Sequence, residues 1–533
     1  MNNPIRKVAI ALAVLFLALF VNLNVVQVFQ GDKYRNDSEN RRVLLNEYAS
    51  PRGAIVATRG TQGSTNIAVS RKTGGELKYL RVYPKEYAEA LAPVTGFYSF
   101  VYGTGGDIGG IEGFENDILS GDSSDLFTTK LANILTGRNP RGGSVQLTIN
   151  LDAQMAAYRA MKGANGKLRR GAVVALDPTT GAILAMVSTP SYDPNLLAAH
   201  DADKVQKAWI RYTHDKQNPM LNRALREIYP PGSVFKVIDT AAALKIGLTP
   251  ENRIAAPNSY WPLEPTKKTA CPANLAAPCV ENFEGETCDN GKTATLDLAL
   301  VKSCNTAFAA LAIEKLGAQK IKEQAEAFGI DGSQLTVPMP VAPSTIGSQA
   351  DLDDPAALAQ TSFGQRDVRI SPLQGAMISA AVANNGTLMR PYLVDKELRP
   401  NLSVLNSTEP QKLSQAMDPD VASQLVTMMQ NVVTDPRGTG GPAKITDPQL
   451  VSAGVTVGGT TGTADVGVTS ASKVQPDAWF SGFAMVKGQP RIAVAVIIEN
   501  GGVAGNESAG GAAAGPVAKQ VMTAYLKSVG VGR

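Results

Sequence analysis

Histidine is nearly missing from this chain. Only His200 and His214 occur in 533 residues, which excludes most metal-hydrolase schemes and Ser-His-Asp triads. A nucleophilic serine here needs a different base. Net charge is equally scarce, since 51 basic residues against 47 acidic ones leave +4. No basic patch or stripe suited to a phosphate backbone is visible, so nucleic acid is not an expected partner. Cysteine is limited to Cys271, Cys279, Cys288 and Cys304. With no CxxC pair and no nearby histidine, they offer zinc no ligand set, and no metal or cofactor is expected. No internal repeat is visible. Hydrophobic residues at 44% and charged residues at 18% exclude a disordered or wholly membrane-embedded chain.

What is present begins with an apolar run. After Arg6 and Lys7 comes VAIALAVLFLALFVNLNVVQVF, residues 8–29, long enough as a helix to cross about 30 Å of hydrocarbon. A cleavable signal peptide is the rival reading, but it would have a shorter core closed by a small-x-small site, and residues 22–29 offer none. The expectation is a retained anchor at 8–29 behind a cytoplasmic tail at 1–7, with the rest of the chain outside the cell membrane. The remaining length exceeds one ordinary core. It divides into a modest strand-containing domain at 30–145, with turns such as GTGGDIGG, and a larger domain at 146–533. Outside the membrane a local disulfide is expected, either Cys279 to Cys288 or Cys271 to Cys279. Cys304 sits in an apolar helical context and reads as a buried free thiol.

Beyond residue 143 the pattern becomes regular. SVQLTIN (144–150) reads as a strand and LDAQMAAYRAMKGA as a helix. GAVVALD and AILAMVS, joined by PTTG, form a hairpin signal. Helical spacing dominates VFKVIDTAAALKIG, LDLALVKSCNTAFAALAIEKLG and SPLQGAMISAAVANNG, each ending in Gly. A long polar loop is expected from about Glu397 to Leu413, then two antiparallel strands in DAWFSGFAMV and RIAVAVIIEN, and a closing helix in GPVAKQVMTAYLKSVG. Strands at both ends of a helical centre imply an α+β domain, an antiparallel sheet packed with helices.

Three short stretches carry chemistry. In PPGSVFKV, two prolines and a glycine place Ser233 at the start of a helix, with Lys236 one turn on. Free N–H groups and the positive end of the helix dipole there favour a developing oxyanion and disfavour an ammonium. Lys236 in an apolar run loses its proton more easily and suits the role of base to Ser233. The spacing alone is weak, because Ser-x-x-Lys arises about twice by composition in a chain this long. It recurs at SASK (470–473), which lacks the apolar helical context. Ser303 and Asn305, in SCN, sit between two helical runs, where an N-cap is the simpler reading. TTGTAD, from Thr460 to Asp465, is Gly-flanked and precedes the strand pair.

Ser-x-x-Lys, Ser-x-Asn and Lys-Thr-Gly are the motifs of penicillin-binding proteins and class A β-lactamases. In this order, and together with RGAI (52–55), GIEGFENDILSG (110–121), VALDPTTGAILAMVSTPSYDPN, NRALREIYPPGSVFKV, SCNTAF and AVANNGTLMRPYLV, the chain resembles the class B penicillin-binding proteins, close to the actinobacterial A type. The resemblance covers nearly the whole length. A stray Lys72-Thr73-Gly74 and Ser-x-Asn matches at Ser38 and Ser64 lie upstream of Ser233, where the family's order excludes them.

The resemblance implies a transpeptidase domain of the penicillin-binding-protein and serine β-lactamase type at 146–533, with 30–145 as a non-catalytic pedestal. It implies Ser233 as the residue acylated by a D-alanyl-D-alanine stem peptide, and Lys236 as the acceptor of its proton. Ser303 would relay a proton to the leaving D-alanine, and Asn305 would hold the substrate amide. The strand from Thr460 through Thr461 and Gly462 to Thr463 would line up with the substrate, and the N–H groups of Ser233 and Thr463 would form an oxyanion hole. The implied partners are stem peptides, β-lactams as covalent inhibitors, the membrane, and other wall-synthesis or division proteins. One departure is marked: Thr460 stands where the family has lysine. Losing a charge-assisted hydrogen bond to the substrate carboxylate costs about 1.5–3 kcal/mol, so the expectation is a working enzyme with lowered β-lactam affinity, unless Arg226 or Lys473 compensates. The rival reading is a stem-peptide-binding scaffold or sensor that does not turn substrate over.

Overall fold

The computed structural model describes residues 3–26, 45, 47–126, 141–163, 166–263, 271, 279–282, 285–464, 475–501 and 507–532. Helix α1, Asn3–Asn24, has no buried residue and is long and apolar enough to cross a membrane. Of its two late polar side chains, Asn22 and Asn24, the second is satisfied locally, since Asn24 Nδ2 donates to the Phe20 carbonyl at 2.8 Å. Positions 27–29 of the expected anchor lie outside the described residues.

Two large sheets follow, built from β1 (Ile55–Thr58), β2 (Ser64–Lys72), β3 (Tyr79–Val82), β4 (Ser144–Asn150), β5 (Gly171–Leu176), β6 (Ile183–Thr189), β7 (Val394–Leu398), β8 (Val404–Ser407), β9 (Val455–Ala464), β10 (Asp477–Val486) and β11 (Gln489–Ile498). The first sheet has the order β8-β7-β4-β1-β2-β3, and only its β1–β4 pair is parallel. Strands from the far end of the chain thus complete the sheet begun at residue 55. The second sheet, β9-β10-β11-β5-β6, is antiparallel throughout. β5 and β6 are buried at every position, as unbroken apolar strands are when helices cover both faces.

Seven further helices frame the site: α2 (Lys236–Lys245), α3 (Leu296–Val301), α4 (Asn305–Leu311), α5 (Gly317–Ala327), α6 (Pro372–Ala383), α7 (Pro419–Thr434) and α8 (Glu507–Ser528). α6 meets one face of the second sheet, where Ser481 Oγ donates to the Gly375 carbonyl and lies 2.6 Å from Ser379 Oγ. α8 covers the opposite face, so close to β9 that a Cβ on Gly511 would come within 3.0 Å of the Thr461 methyl.

The polar loop expected over 397–413 is a misreading. That stretch holds the end of β7, all of β8 and the start of a short strand at Lys412–Gln415. These strands are half-buried or exposed along their length, so their polar side chains leave no apolar alternation to read.

Under the first sheet lies a buried ion cluster. Glu112 is fully buried and accepts hydrogen bonds from Arg52 Nε, Arg81 Nε and the Tyr83 hydroxyl, while Arg52 also donates to the Glu112 carbonyl. Burial by itself would raise the Glu112 carboxyl. The guanidiniums of Arg81 and Arg52 overrule it and hold the group below the usual carboxylate range.

Candidate active site

Pro230, Pro231 and Gly232 bend the chain into a 3-10 turn, Gly232–Phe235, that runs directly into α2. Gly232 has φ +54°, and a Cβ there would come 2.8 Å from the Thr463 carbonyl oxygen. The reciprocal contact is tighter: a Cβ on Gly462 would lie 2.5 Å from the Pro231 carbonyl oxygen. Glycine on both sides therefore lets the turn carrying Ser233 press backbone to backbone against β9 at Gly462 and Thr463. Gly232 N donates to the Gly364 carbonyl at 3.0 Å and Trp479 Nε1 donates to the Pro230 carbonyl at 3.0 Å. These bonds pin the turn from two sides. Ser233 is 3% exposed.

Lys236, the first residue of α2, is fully buried. Its Nζ donates to the Ser303 carbonyl at 2.7 Å, Ser303 Oγ at 3.0 Å and Asn305 Oδ1 at 2.7 Å. Ser303 lies between α3 and α4 with φ +58°, a left-handed conformation uncommon for a non-glycine residue. That turn points its carbonyl and side chain at the same amine. The expected local turn is therefore present, and its side chains are bonded to lysine; the cap position of α4 is Cys304, which makes no side-chain cap bond.

The cysteines pair differently from the reading above. Cys271 bonds Cys279, one of the two expected alternatives, but Cys288 bonds Cys304. Cys304 is thus not a free thiol. The helical pattern around it concealed a link to a loop 16 residues upstream. The same upstream region supplies Asn282, whose Oδ1 accepts from Thr306 N and Oγ1 at 3.0 and 3.1 Å. Together the disulfide and Asn282 grip the chain on either side of Asn305.

On β9, Thr460 pairs with Ser481 and Gly462 with Trp479, which turns those positions toward the helical layer containing α6. Thr461 points to the opposite face, and its Oγ1 donates to Thr439 Oγ1 at 2.7 Å. Thr460 Oγ1 makes only a long 3.5 Å contact with the Thr461 carbonyl among the described residues. No lysine or arginine bonds Thr460 or Thr461 there. Arg226 lines a cavity of about 110 Å³ with Ile108, Tyr192 and Met339, and Asp465 and Lys473 lie outside the described residues. A further cavity of about 320 Å³ adjoins the Ser233 turn, lined by Tyr229, Pro230, Arg369, Asp477 and Glu499. Burial pushes the Asp477 carboxyl up to about 6.

The arrangement can perform acyl transfer without imidazole: a serine at a helix start, an amine one turn away, a second hydroxyl and an amide on that amine, and a strand edge with backbone donors. Sequence reasoning missed Thr439, Asn282 and the Cys304 link, none of which carries a local signal.

Residues 171–523 match the penicillin-binding protein transpeptidase domain, and residues 52–145 match the penicillin-binding protein A dimerisation domain. The chain is 42% identical over 527 residues to the peptidoglycan D,D-transpeptidase PbpA of Mycolicibacterium smegmatis, and 41% identical over 529 residues to that of Mycobacterium tuberculosis, with 99% of each chain covered in both cases. The solved structure of M. tuberculosis penicillin-binding protein A as a ceftriaxone acyl-enzyme superposes with a TM-score of 0.79 at 41% identity, covering 90% of this chain and 100% of that one. Its penicillin G acyl-enzyme gives 0.77 at 40% identity, with the same coverage.

Proposed function

The chain belongs to the penicillin-binding protein transpeptidase family, and on that premise we propose that Ser233 is the nucleophile of a peptidoglycan D,D-transpeptidase. The enzyme is of the serine type. It forms an acyl-enzyme on the stem peptide and transfers the acyl group to an amine of a neighbouring strand, and β-lactams acylate the same serine. The observation that carries the assignment is the convergence of Lys236 Nζ on Ser303 and Asn305 at 2.7–3.0 Å, with the Ser233 turn packed on Gly462 and Thr463.

As Ser233 Oγ bonds to the carbonyl carbon of the penultimate D-alanine, its proton passes to Lys236 Nζ. Ser303 Oγ, 3.0 Å from that nitrogen, hands a proton to the amine of the departing D-alanine. Asn305 fixes the lysine and faces the substrate amide. The N–H groups of Ser233 and Thr463 receive the oxyanion, and a donor in that role is worth about a hundred- to a thousandfold in rate. Helix α1 anchors the protein, with residues 1–7 in the cytoplasm and the catalytic domain, 146–533, held outside on the 30–145 pedestal. Disulfides are at home in that compartment. Likeness to the A type favours a place in septal wall synthesis.

Thr460 lowers affinity for the substrate or β-lactam carboxylate by about ten- to a hundredfold, the worth of one charge-assisted hydrogen bond. The absence of a cation on Thr460 or Thr461 among the described residues also sustains a second reading, a stem-peptide-binding scaffold without turnover. The test is to label the full chain in detergent with a fluorescent penicillin, map the adduct by mass spectrometry and repeat with Thr460→Lys. We expect an adduct on Ser233 that forms about ten times faster or more in the variant. No adduct in either protein overturns the enzymatic reading and favours the scaffold.

A further inference from the structure

One turn beyond Lys236, α2 carries a second ionisable group. Asp239 is fully buried, and neither of its carboxyl oxygens has a hydrogen-bond partner. The other buried carboxyls among the described residues have partners: Glu112 has two guanidiniums and a phenol, and Asp477 accepts from Asn500 N, while half-buried Glu499 has Arg223, Arg170 and Tyr229. Nothing in the packing accounts for a carboxyl at 239, where an apolar side chain would avoid the cost of an unpartnered polar group.

Its surroundings leave one interlocutor. The helix is packed by α3, α4, α5, α7 and the π-turn Ala312–Leu316. On these, Glu314, Lys315, Lys320, Glu323, Glu326 and Asp420 are exposed to water. Asp297 is bonded to Asn431, and Lys322 to Gln349. Lys236, three residues earlier on the same helix face, lies about 5–6 Å away between Cβ atoms. Burial drives the Asp239 carboxyl well above its usual range, and the charge of Lys236 draws it back.

We propose that Asp239 is a positioning residue that sets the proton affinity of the Lys236 amine, acting through the buried field between them rather than by contact. The inference rests on the catalytic reading of Lys236 given above. Where Asp239 is ionised, its carboxylate raises the proton affinity of Lys236, so that the amine is free only at higher pH and, when free, is a stronger acceptor of the Ser233 proton. Removing the carboxyl has a signed consequence: Lys236 sheds its proton at lower pH and becomes a weaker base.

The experiment measures the second-order rate of Ser233 labelling by a fluorescent penicillin from pH 5 to 10, on the full chain in detergent, for the unsubstituted protein, Asp239→Asn and Asp239→Leu. The acid limb of the profile should move down by about one pH unit in both variants, so that labelling on that limb is about tenfold faster while the alkaline plateau falls. Melting temperatures should hold or rise, since an orphaned carboxyl is gone; the leucine variant also avoids leaving an unpartnered amide. Superimposable limbs, or a uniform loss at every pH, overturn the proposal. If Ser233 takes no label even in the unsubstituted chain, the catalytic reading fails on its own account. The pH dependence of melting then decides for Asp239, and curves for Asp239→Leu and the parent that coincide in shape overturn its coupling to Lys236.

Discussion

A carboxylate sealed from water must be held by other charges or give up its own. Glu112 takes the first course, between Arg52 and Arg81. Removing its charge strands two buried guanidiniums, so Glu112→Gln should cost about 3–5 kcal/mol at pH 7, read from chemical unfolding. Its folded pKa lies below the unfolded value. The contribution is therefore present above about pH 4.3 and lost as the pH falls through the folded value. Acidification below that point should lower the melting temperature of the parent more than that of Glu112→Gln. At this scale the sequence was legible where function depends on near neighbours. Ser233 and Lys236 are one helical turn apart, and Ser303 and Asn305 share a turn between two apolar runs. It was illegible where a partner comes from far along the chain, as with Thr439 on Thr461 or Asn282 on Thr306, because side-chain bonds across 22 or 24 residues leave no spacing to detect.

Among elements, the link between Cys288 and Cys304 is the least predictable from pattern and the closest to chemistry. Apolar spacing on both sides of Cys304 gives the helices α3 and α4 correctly, but says nothing of a covalent tie from the turn between them. Closing a loop of 16 residues restricts the unfolded chain by about 3 kcal/mol. Cys288→Ala should lose about that much stability by denaturant titration. It should also slow Ser233 labelling, because the left-handed Ser303 turn that aims two acceptors at Lys236 loses its tether. A variant that labelled at the parental rate would show that Asn282 and the helix ends hold the turn unaided. The strands of the second sheet were legible for the opposite reason: β5, β10 and β11 are apolar along nearly their whole length, and burial on both faces leaves little other interpretation.

For the molecule as a whole, the seam between the early and late parts of the chain is both polar and tunable. Glu115 and Glu397 face each other in a cavity of about 560 Å³ that also includes Arg390 and Tyr392. Burial, then the neighbouring Glu397, pushes the Glu115 carboxyl up to about 7. A raised carboxyl contributes stability below its unfolded pKa of about 4.3 and loses it as the pH rises through about 7. Glu115→Gln should therefore match the parent at pH 4 and melt above it at pH 8, a difference checked by scanning fluorimetry. The Glu112 cluster works in the opposite sense at lower pH, so the two groups bound a window of greatest stability between them.

The first sheet crosses the same seam. β4 takes β1 on one side and β7 on the other, with Gln146 Nε2 donating to Asp395 Oδ2 at 2.8 Å between them. Cutting at residue 145 to exchange one part for that of a relative would expose a strand edge fitted to a foreign neighbour. Evolution along this lineage is thereby obliged to revise both sides of the joint in step, and an engineer building hybrids would need to transplant the strands of 394–407 together with the first 150 residues.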